Sequence, residues 1–476
     1  MSWTQQADFW SRPLDCYERY FQLVGANQGL DGHDHFLLVG AVQIDYPAPI
    51  DLVAGLRSAW KCLRLRHPDI ATTYHPGEKR YSPIRTETEL DTWCDLTLHV
   101  EEAMQSSSHL LREQHLAGTH ATCHWIPASN EICIVSGPYR LDEYAITTFL
   151  HQLLSHLHNP YPLPANLDGS EARQLFPPLD IVVGMPTTRD PSWSRRADKL
   201  IALHQKGGPS IGLPIAAENV AAKPRCTRHV ELRIPAKQAT ALREGCHDRD
   251  IALSGAMHTS VVVETAARAP QSSLATRYIS VMAFDLRRHW LPPFGGPTQA
   301  PLLRMTGIPI NIDARAPWSE LVQIVEPMCR QTWERGASDM LFVRVAFAEK
   351  VAALVETGHP APPDQPQNSS PYFFNMGALE ERIQKSYGET IHVRNVQVFG
   401  QMVSKQVYVR SWSWGDAMYL SACYNEAYYA DAYVDTFLMA IRDNLVENLS
   451  SPERRAPPRQ HAKCRSPVDG SCCNVM

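Results

Sequence analysis

No stretch of about 18 consecutive apolar residues occurs in the chain, so it offers no membrane-spanning helix. Its first residues, MSWTQQADFWSRPLD, contain neither a basic block nor an apolar one, which argues against a secretory signal. An excess of positive charge is also missing. Lys and Arg number 45 against 50 Asp and Glu, a net charge of −5, which excludes nucleic acid as a main partner. The 12 cysteines include no CxxC pair and no Cys/His set at zinc spacing, and the HDH at His33–His35 has no third ligand near it in sequence. Reduced, mostly buried thiols in a cytoplasmic protein are the expectation. A glycine-rich phosphate loop, a dinucleotide fingerprint and an aspartate-rich DDxxD stretch are all absent. No bound cofactor and no metal are expected.

What is present reads as an ordinary soluble globular protein, 44% hydrophobic and 20% charged. At 476 residues it exceeds the size at which one core keeps growing, so two lobes are expected. Apolar residues fall at three- and four-residue steps over Pro49–Leu65, and Glu101–Gln114 is a second amphipathic stretch. HATCHWIP, the turn ASN and EICIVSG predict a hairpin, followed by the corner GPYRLDE and a helix over Tyr144–His156.

Residues 159–225 are rich in proline and glycine, with one helical piece around Ser194–His204, and separate an N-terminal lobe (1–158) from a C-terminal one (226–450). In that second lobe, strands are predicted at Arg228–Ile234, Tyr278–Asp285, Leu303–Ile312, Tyr372–Met376, Ile391–Gln401, Gln406–Trp412 and Ala417–Tyr424. Helices are predicted at Leu253–Ala269, Trp318–Arg335 and Ala430–Leu449, with a polar loop over Pro360–Ser370. Strands alternating with helices in both halves argue for two mixed α/β lobes. The tail, 451–476, has no periodicity and is expected to be disordered.

Several segments together resemble the chloramphenicol-acetyltransferase-like superfamily, nearest to the fungal trichothecene-acetyltransferase-like branch and to peptide-synthetase condensation domains. They are AWKCLRLRHPDIA (Ala59–Ala71), SGPYRLDEYAITTFLHQLL, LSGAMHTSVVVETAAR (Leu253–Arg268), FDLRRHWLPP (Phe284–Pro293), YFFNMGALEERIQKSYG (Tyr372–Gly388) and MYLSACYNEAYY (Met418–Tyr429). The resemblance implies two similar lobes around a central tunnel, with an acyl thioester entering from one face and the acceptor from the other. It also implies a corner reading HHxxxDG, whose second histidine is the general base and whose aspartate braces the corner against an arginine.

Laid on that motif, the corner here is Gly137-Pro138-Tyr139-Arg140-Leu141-Asp142-Glu143. Both histidines are gone, and none of the 20 histidines has an aspartate four residues on. Proline has no titratable group, so Pro138 accepts no proton, and a lost general base typically costs about 10²–10⁴ in rate. Asp142 is expected to be the brace, paired with Arg287; the sharper alternative turns Asp142 or Glu143 inward as acid or base. For Glu143 the blander expectation is a solvated acid in the first turn of a helix. Tyr139 would fill the vacated volume or simply line the tunnel. The resemblance places Asn375 near a thioester carbonyl as a donor, against the alternative of a strand-end asparagine bonded to backbone. His124 and His258 are candidate substitute bases, each set against a satisfied core histidine. Trp412 and Trp414 fall where plant relatives carry DFGWG, and Gly415 and Asp416 predict a turn.

The last four residues, Cys473-Asn474-Val475-Met476, fit a prenylation box, with Cys472 as a palmitoylation candidate and Arg454, Arg455, Arg459, Lys463 and Arg465 nearby. A lipid there would make the protein peripheral to a membrane. Three functions remain open. One is acyl transfer from acyl-CoA as co-substrate to a hydroxyl of a terpenoid or polyketide in fungal secondary metabolism. Another is a cyclase or pericyclase on such an intermediate, and the third is a silent binding protein. A small-molecule partner and a monomer are expected.

Overall fold

The computed structural model describes residues 3–26, 33–47, 51–113, 120–205, 208–270, 274–287, 294, 302–330, 338–357 and 368–450. The candidate lipidation cysteines, Cys472 and Cys473, lie outside the described residues. The described cysteines are all unpaired and most are buried. Among the described residues no helix is long and apolar enough to cross a membrane.

Two six-stranded mixed sheets organise the molecule. The first runs, in spatial order, Ser386–Tyr387, Ile391–Gly400, Leu38–Asp45, Glu131–Ser136, Thr122–Ile126, Leu98–Val100. The second runs Met305–Asp313, Arg277–Asp285, Tyr372–Ala378, Tyr408–Trp414, Ala417–Asn425, Thr227–Ile234. A four-stranded sheet built from Thr4–Gln5, Trp10–Pro13, Glu78–Tyr81 and Thr73–His75 packs beside them. The two-lobed α/β architecture expected from the alternation of strands and helices is the one observed. The division at residue 226 is not that of the sheets, however. Ile391–Gly400 leaves the C-terminal half and pairs antiparallel with Leu38–Asp45, with Gly400 opposite Leu38. This strand therefore ties the two halves of the chain together.

The predicted hairpin forms over Thr122–Ile126 and Glu131–Ser136, with Asn130 in the left-handed region at φ 54°. The next helix, Glu143–His158, begins on Asp142, whose carboxylate accepts from the Ala145 N–H at 2.8 Å. An N-cap of this kind satisfies an orphan donor of the first turn. The helix lies on the first sheet so closely that a Cβ on Gly40 would meet Ile146 Cγ2 at 1.9 Å. Glycine is therefore required where helix and sheet touch.

Elsewhere the structure differs from the sequence expectation in instructive ways. The amphipathic stretch from Glu101 becomes a helix only at Ser107–Glu113, because the Ser107 N–H and Oγ donate to Glu131 and fix the start there. The helix Ser338–Glu356 was not predicted, nor were Cys16–Ala26, Glu87–Thr97 and the central strand Leu38–Asp45. Gly415, at φ 62°, makes the expected turn between Trp414 and Ala417.

Candidate active site

Pro138 lines a cavity of about 120 Å³ between the two sheets. The first lobe contributes Phe36, Leu38 and the corner; the second contributes Ala283, Tyr372 and Tyr408. The walls are largely apolar, with Phe36, Tyr372 and Tyr408 among their aromatic residues, and among the described residues no histidine borders this cavity. Phe36 is held at φ +65°, a region that bulky side chains rarely adopt. Its N–H donates to the Gln401 carbonyl at 2.8 Å and the Gln401 N–H returns to Leu37 O at 2.7 Å. This clamp points the Phe36 ring at Tyr372 and Tyr408, with centroids 5.6 and 5.9 Å away.

Asp142 and Arg287 are in contact: Arg287 Nη2 donates to both carboxylate oxygens, at 2.8 and 3.1 Å. The same carboxylate accepts from the Ala145 N–H and, at 2.6 Å, from the Arg304 N–H. With its oxygens so occupied in a buried site, Asp142 is a brace and has no lone pair free to act as a base. Burial works against the charge on Arg287, but the carboxylates of Asp142 and Asp285 outweigh it and raise its pKa above the usual arginine value.

Glu143 departs from the solvated acid expected of it. It is 6% exposed, borders the cavity, and accepts on Oε1 from the Tyr408 hydroxyl at 2.9 Å and from Arg410 Nη2 at 3.2 Å. Its Oε2 has no donor among the described residues. Arg410 is fully buried, with Cζ 3.6 Å from the centre of the Tyr408 ring, so cation, ring and carboxylate form one cluster, of which Tyr408 and Glu143 border the cavity. Burial, and then the neighbouring Glu143, pushes the Tyr408 phenol far above its ordinary pKa, so it remains a donor. A Cβ on Gly400 would lie 2.6 Å from Arg410 Nη2, and glycine there leaves room for the guanidinium.

The remaining candidates lie elsewhere. Tyr139 does not fill the space vacated at Pro138: its ring folds back over Gly137 and packs on Tyr74 at 4.5 Å. The Asn375 side-chain oxygen, Oδ1, accepts from the Gly377 N–H at 2.9 Å, beside a bulge in the strand pairing, which is the backbone-bonded arrangement. His124 lies on the outer part of the first sheet, held by Glu101 and Thr122 at 2.8 Å each, and does not reach the cavity. His258 is buried under Phe373, 5.2 Å between rings, and burial lowers its pKa to about 4. Among the described residues no three His, Cys, Asp or Glu side chains gather as a metal site.

Sequence reading missed Tyr408, Arg410 and Phe36. For Arg410 a signal existed, since an arginine inside the apolar strand YVRSWSW must have a partner if the strand is buried. For Phe36 there was none, because a positive φ at phenylalanine is imposed from outside the segment.

No family model matches the sequence. Among curated proteins the chain is 22% identical over 469 residues to acetyltransferase pigO of Monascus ruber, covering 96% of this chain and 100% of that one. It is also 24% identical over 488 residues to a protein of Epichloe uncinata named loline biosynthesis cluster 1 transcription factor lolU1, covering 94% and 96%. Among solved structures it superposes on the TRI3 trichothecene 15-O-acetyltransferase of Fusarium sporotrichioides with TM-score 0.77 at 15% identity, over 94% and 97% of the chains. The condensation domain of the monacolin K polyketide synthase MokA follows at TM-score 0.62 and 12% identity, over 95% and 99%. The chain thus has the two-lobed chloramphenicol-acetyltransferase-like fold, shared with the trichothecene acetyltransferase and the condensation domain.

Proposed function

We propose that the chain is an acyltransferase of fungal secondary metabolism, carrying an acyl group from a CoA thioester to a hydroxyl of a terpenoid or polyketide in the cavity beside Pro138. The names of its acetyltransferase relatives support this reading. The observation that carries it is Glu143, which replaces a glycine of the expected motif and brings a carboxylate to the cavity wall two places beyond Leu141. With Oε1 held by Tyr408 and Arg410, Oε2 is left to accept the proton of the attacking hydroxyl. The C–O bond forms as the C–S bond breaks, and the proton passes from Glu143 to the departing thiolate. With a carboxylate in place of the expected imidazole, slow turnover is expected.

Acetyl-CoA with a panel of hydroxylated terpenoids and polyketides should release free thiol, and Glu143→Gln should lower kcat at least about tenfold. Pro138→His should raise it by restoring an imidazole to the corner. Thiol release indifferent to Glu143→Gln would remove Glu143 from the mechanism. A second reading rests on the aromatic walls. Phe36, Tyr372 and Tyr408 would hold one reactive conformer for a cyclisation, and product formed with no thioester present would select it.

A further inference from the structure

A second cavity, of about 240 Å³, lies beside the first, between the helices Cys16–Ala26 and Ser338–Glu356. The two adjoin at a neck made of residues they share, Tyr20, Phe21, Val281, Thr306 and Gly307. Away from the neck the second cavity is apolar, with Ile201, Phe347, Val351 and Leu354 among its walls. A dry cavity of about 150 Å³ takes up benzene, so this one has room for an aliphatic chain of roughly seven or eight carbons.

The polar groups of the second cavity sit at the neck, and they are donors. The Tyr20 hydroxyl has no hydrogen-bond partner among the described residues, and burial raises its pKa, so it keeps its proton. Burial also raises the pKa of Tyr372, on the wall of the first cavity, and Tyr20 raises it further, so the two phenols are within electrostatic reach of each other. Tyr17 donates its hydroxyl to Thr306 Oγ1 at 2.5 Å, and the Thr306 proton has no acceptor among the described residues. A hydroxyl that accepts still has one proton to give. The Leu286 and Ala314 N–H groups donate to the Arg304 and Thr276 carbonyls. This parity turns the even-numbered residues of Met305–Asp313 toward Arg277–Asp285 and leaves the Gly307 amide on the open edge of the sheet. Three groups able to donate therefore meet at the neck, with apolar walls behind them. That arrangement suits an acceptor on an apolar chain, and a carbonyl is an acceptor that brings no charge to desolvate.

We propose that the second cavity binds an aliphatic chain headed by a carbonyl group, which rests at the neck and accepts hydrogen bonds from Tyr20 and Thr306. That this ligand is a substrate rests on the acyltransfer reading above. With the chain in the second cavity, its carbonyl would stand beside the cavity of Pro138 and Glu143, either as the acyl group of the thioester or as a ketone of the acceptor. Its binding does not depend on that reading.

The test uses the full chain with 2-nonanone and 2-butanone as probes, read by calorimetric titration. 2-Nonanone binds at least about tenfold more tightly than 2-butanone, because its longer chain leaves water. Val351→Phe and Val351→Trp fill the cavity in steps, and 2-nonanone binding falls in that order, to none with Trp. Tyr20→Phe weakens 2-nonanone by about 3–10-fold. It leaves the Tm of the free protein unchanged, since the hydroxyl has no partner to lose. Tyr17→Phe/Thr306→Val, which strands no hydroxyl at 17, weakens 2-nonanone to a similar degree. Binding of 2-nonanone no tighter than that of 2-butanone, binding unchanged in either donor variant, or binding that survives Val351→Trp would each overturn the proposal. Octanoyl-CoA separates the two sources of the carbonyl: displacement by 2-nonanone assigns it to the acyl donor, and 2-nonanone binding without displacement assigns it to the acceptor. Ketone binding that obeys these expectations in a protein without thiol release would sink the acyltransfer reading alone. Thiol release with no ketone binding would sink this one alone.

Discussion

Arg410→Met tests whether the cluster of Arg410, Tyr408 and Glu143 is a unit. In the native protein Arg410 and Glu143 are 0% and 7% exposed at their side chains and 3.2 Å apart, and among the described residues Tyr408 supplies the only other donor to the same oxygen. Removing the arginine leaves a carboxylate buried beside one hydroxyl. Breaking a buried pair in this way costs about 3–5 kcal/mol, far more than the loss of a surface pair, which is worth about 0–1 kcal/mol. Removing both charges in Arg410→Met/Glu143→Gln leaves no stranded ion, and the double variant should recover most of the loss. Chemical denaturation of the four proteins closes the cycle, and a coupling energy of about 2 kcal/mol or more is expected. Two outcomes refute the reasoning: Arg410→Met as stable as the native protein, or a double variant whose loss is the plain sum of the singles.

Two further outcomes follow, one from the same cluster and one from the buried histidines. Gly400→Ala puts a methyl 2.6 Å from Arg410 Nη2, so it should displace the guanidinium and destabilise the protein by about 1–3 kcal/mol. The same change made together with Arg410→Met should cost markedly less, as denaturation midpoints will tell. Stability should also fall on mild acidification. Burial lowers the pKa of His35 and His229 to about 3 and that of His258 to about 4, from 6.5, so the unfolded chain takes up these protons first. Each such histidine contributes stability that is full above pH 6.5 and is lost as pH falls toward its folded value, with a limiting slope of about 1.4 kcal/mol per pH unit. His258→Leu should flatten the profile of Tm between pH 6.5 and 4 by one histidine's share, and an unchanged slope would deny its burial as a neutral base.

How much of this was legible in the sequence depended on the range of the forces involved. The hairpin, the corner and the helix after it were legible because alternation and capping are local, and Asp142 announces its N-cap within three residues of Ala145. The helix Ser338–Glu356 was not, since SDMLFVRVAFAEKVAALVE is apolar on most sides and presents no single stripe. The small sheet escaped for the opposite reason, being built of strands two to four residues long. The exchange of Ile391–Gly400 into the first sheet is a choice of partner, and nothing in IHVRNVQVFG names Leu38–Asp45 as its neighbour. Glu143 shows the same limit at the site. A helix dipole explains an acid in a first turn, but the arginine that draws it inward comes from 267 residues away.

The residues at the corner make more physical sense together than singly. Proline at 138 carries no titratable group and narrows the backbone to one φ, and by itself it would leave an inert apolar chamber. A glutamate at 143 without compensation would place a bare carboxylate in that chamber, which desolvation forbids. Arg410 supplies the compensation, and it fits only because Gly400 on the exchanged strand offers no side chain against it. The strand that ties the lobes together therefore also makes room for the cation that holds the cavity's carboxylate in place. Arg410, the stacked Tyr408 and Gly400 thus converge on a single acid, and breaking any one of these contacts strands a charge in the interior.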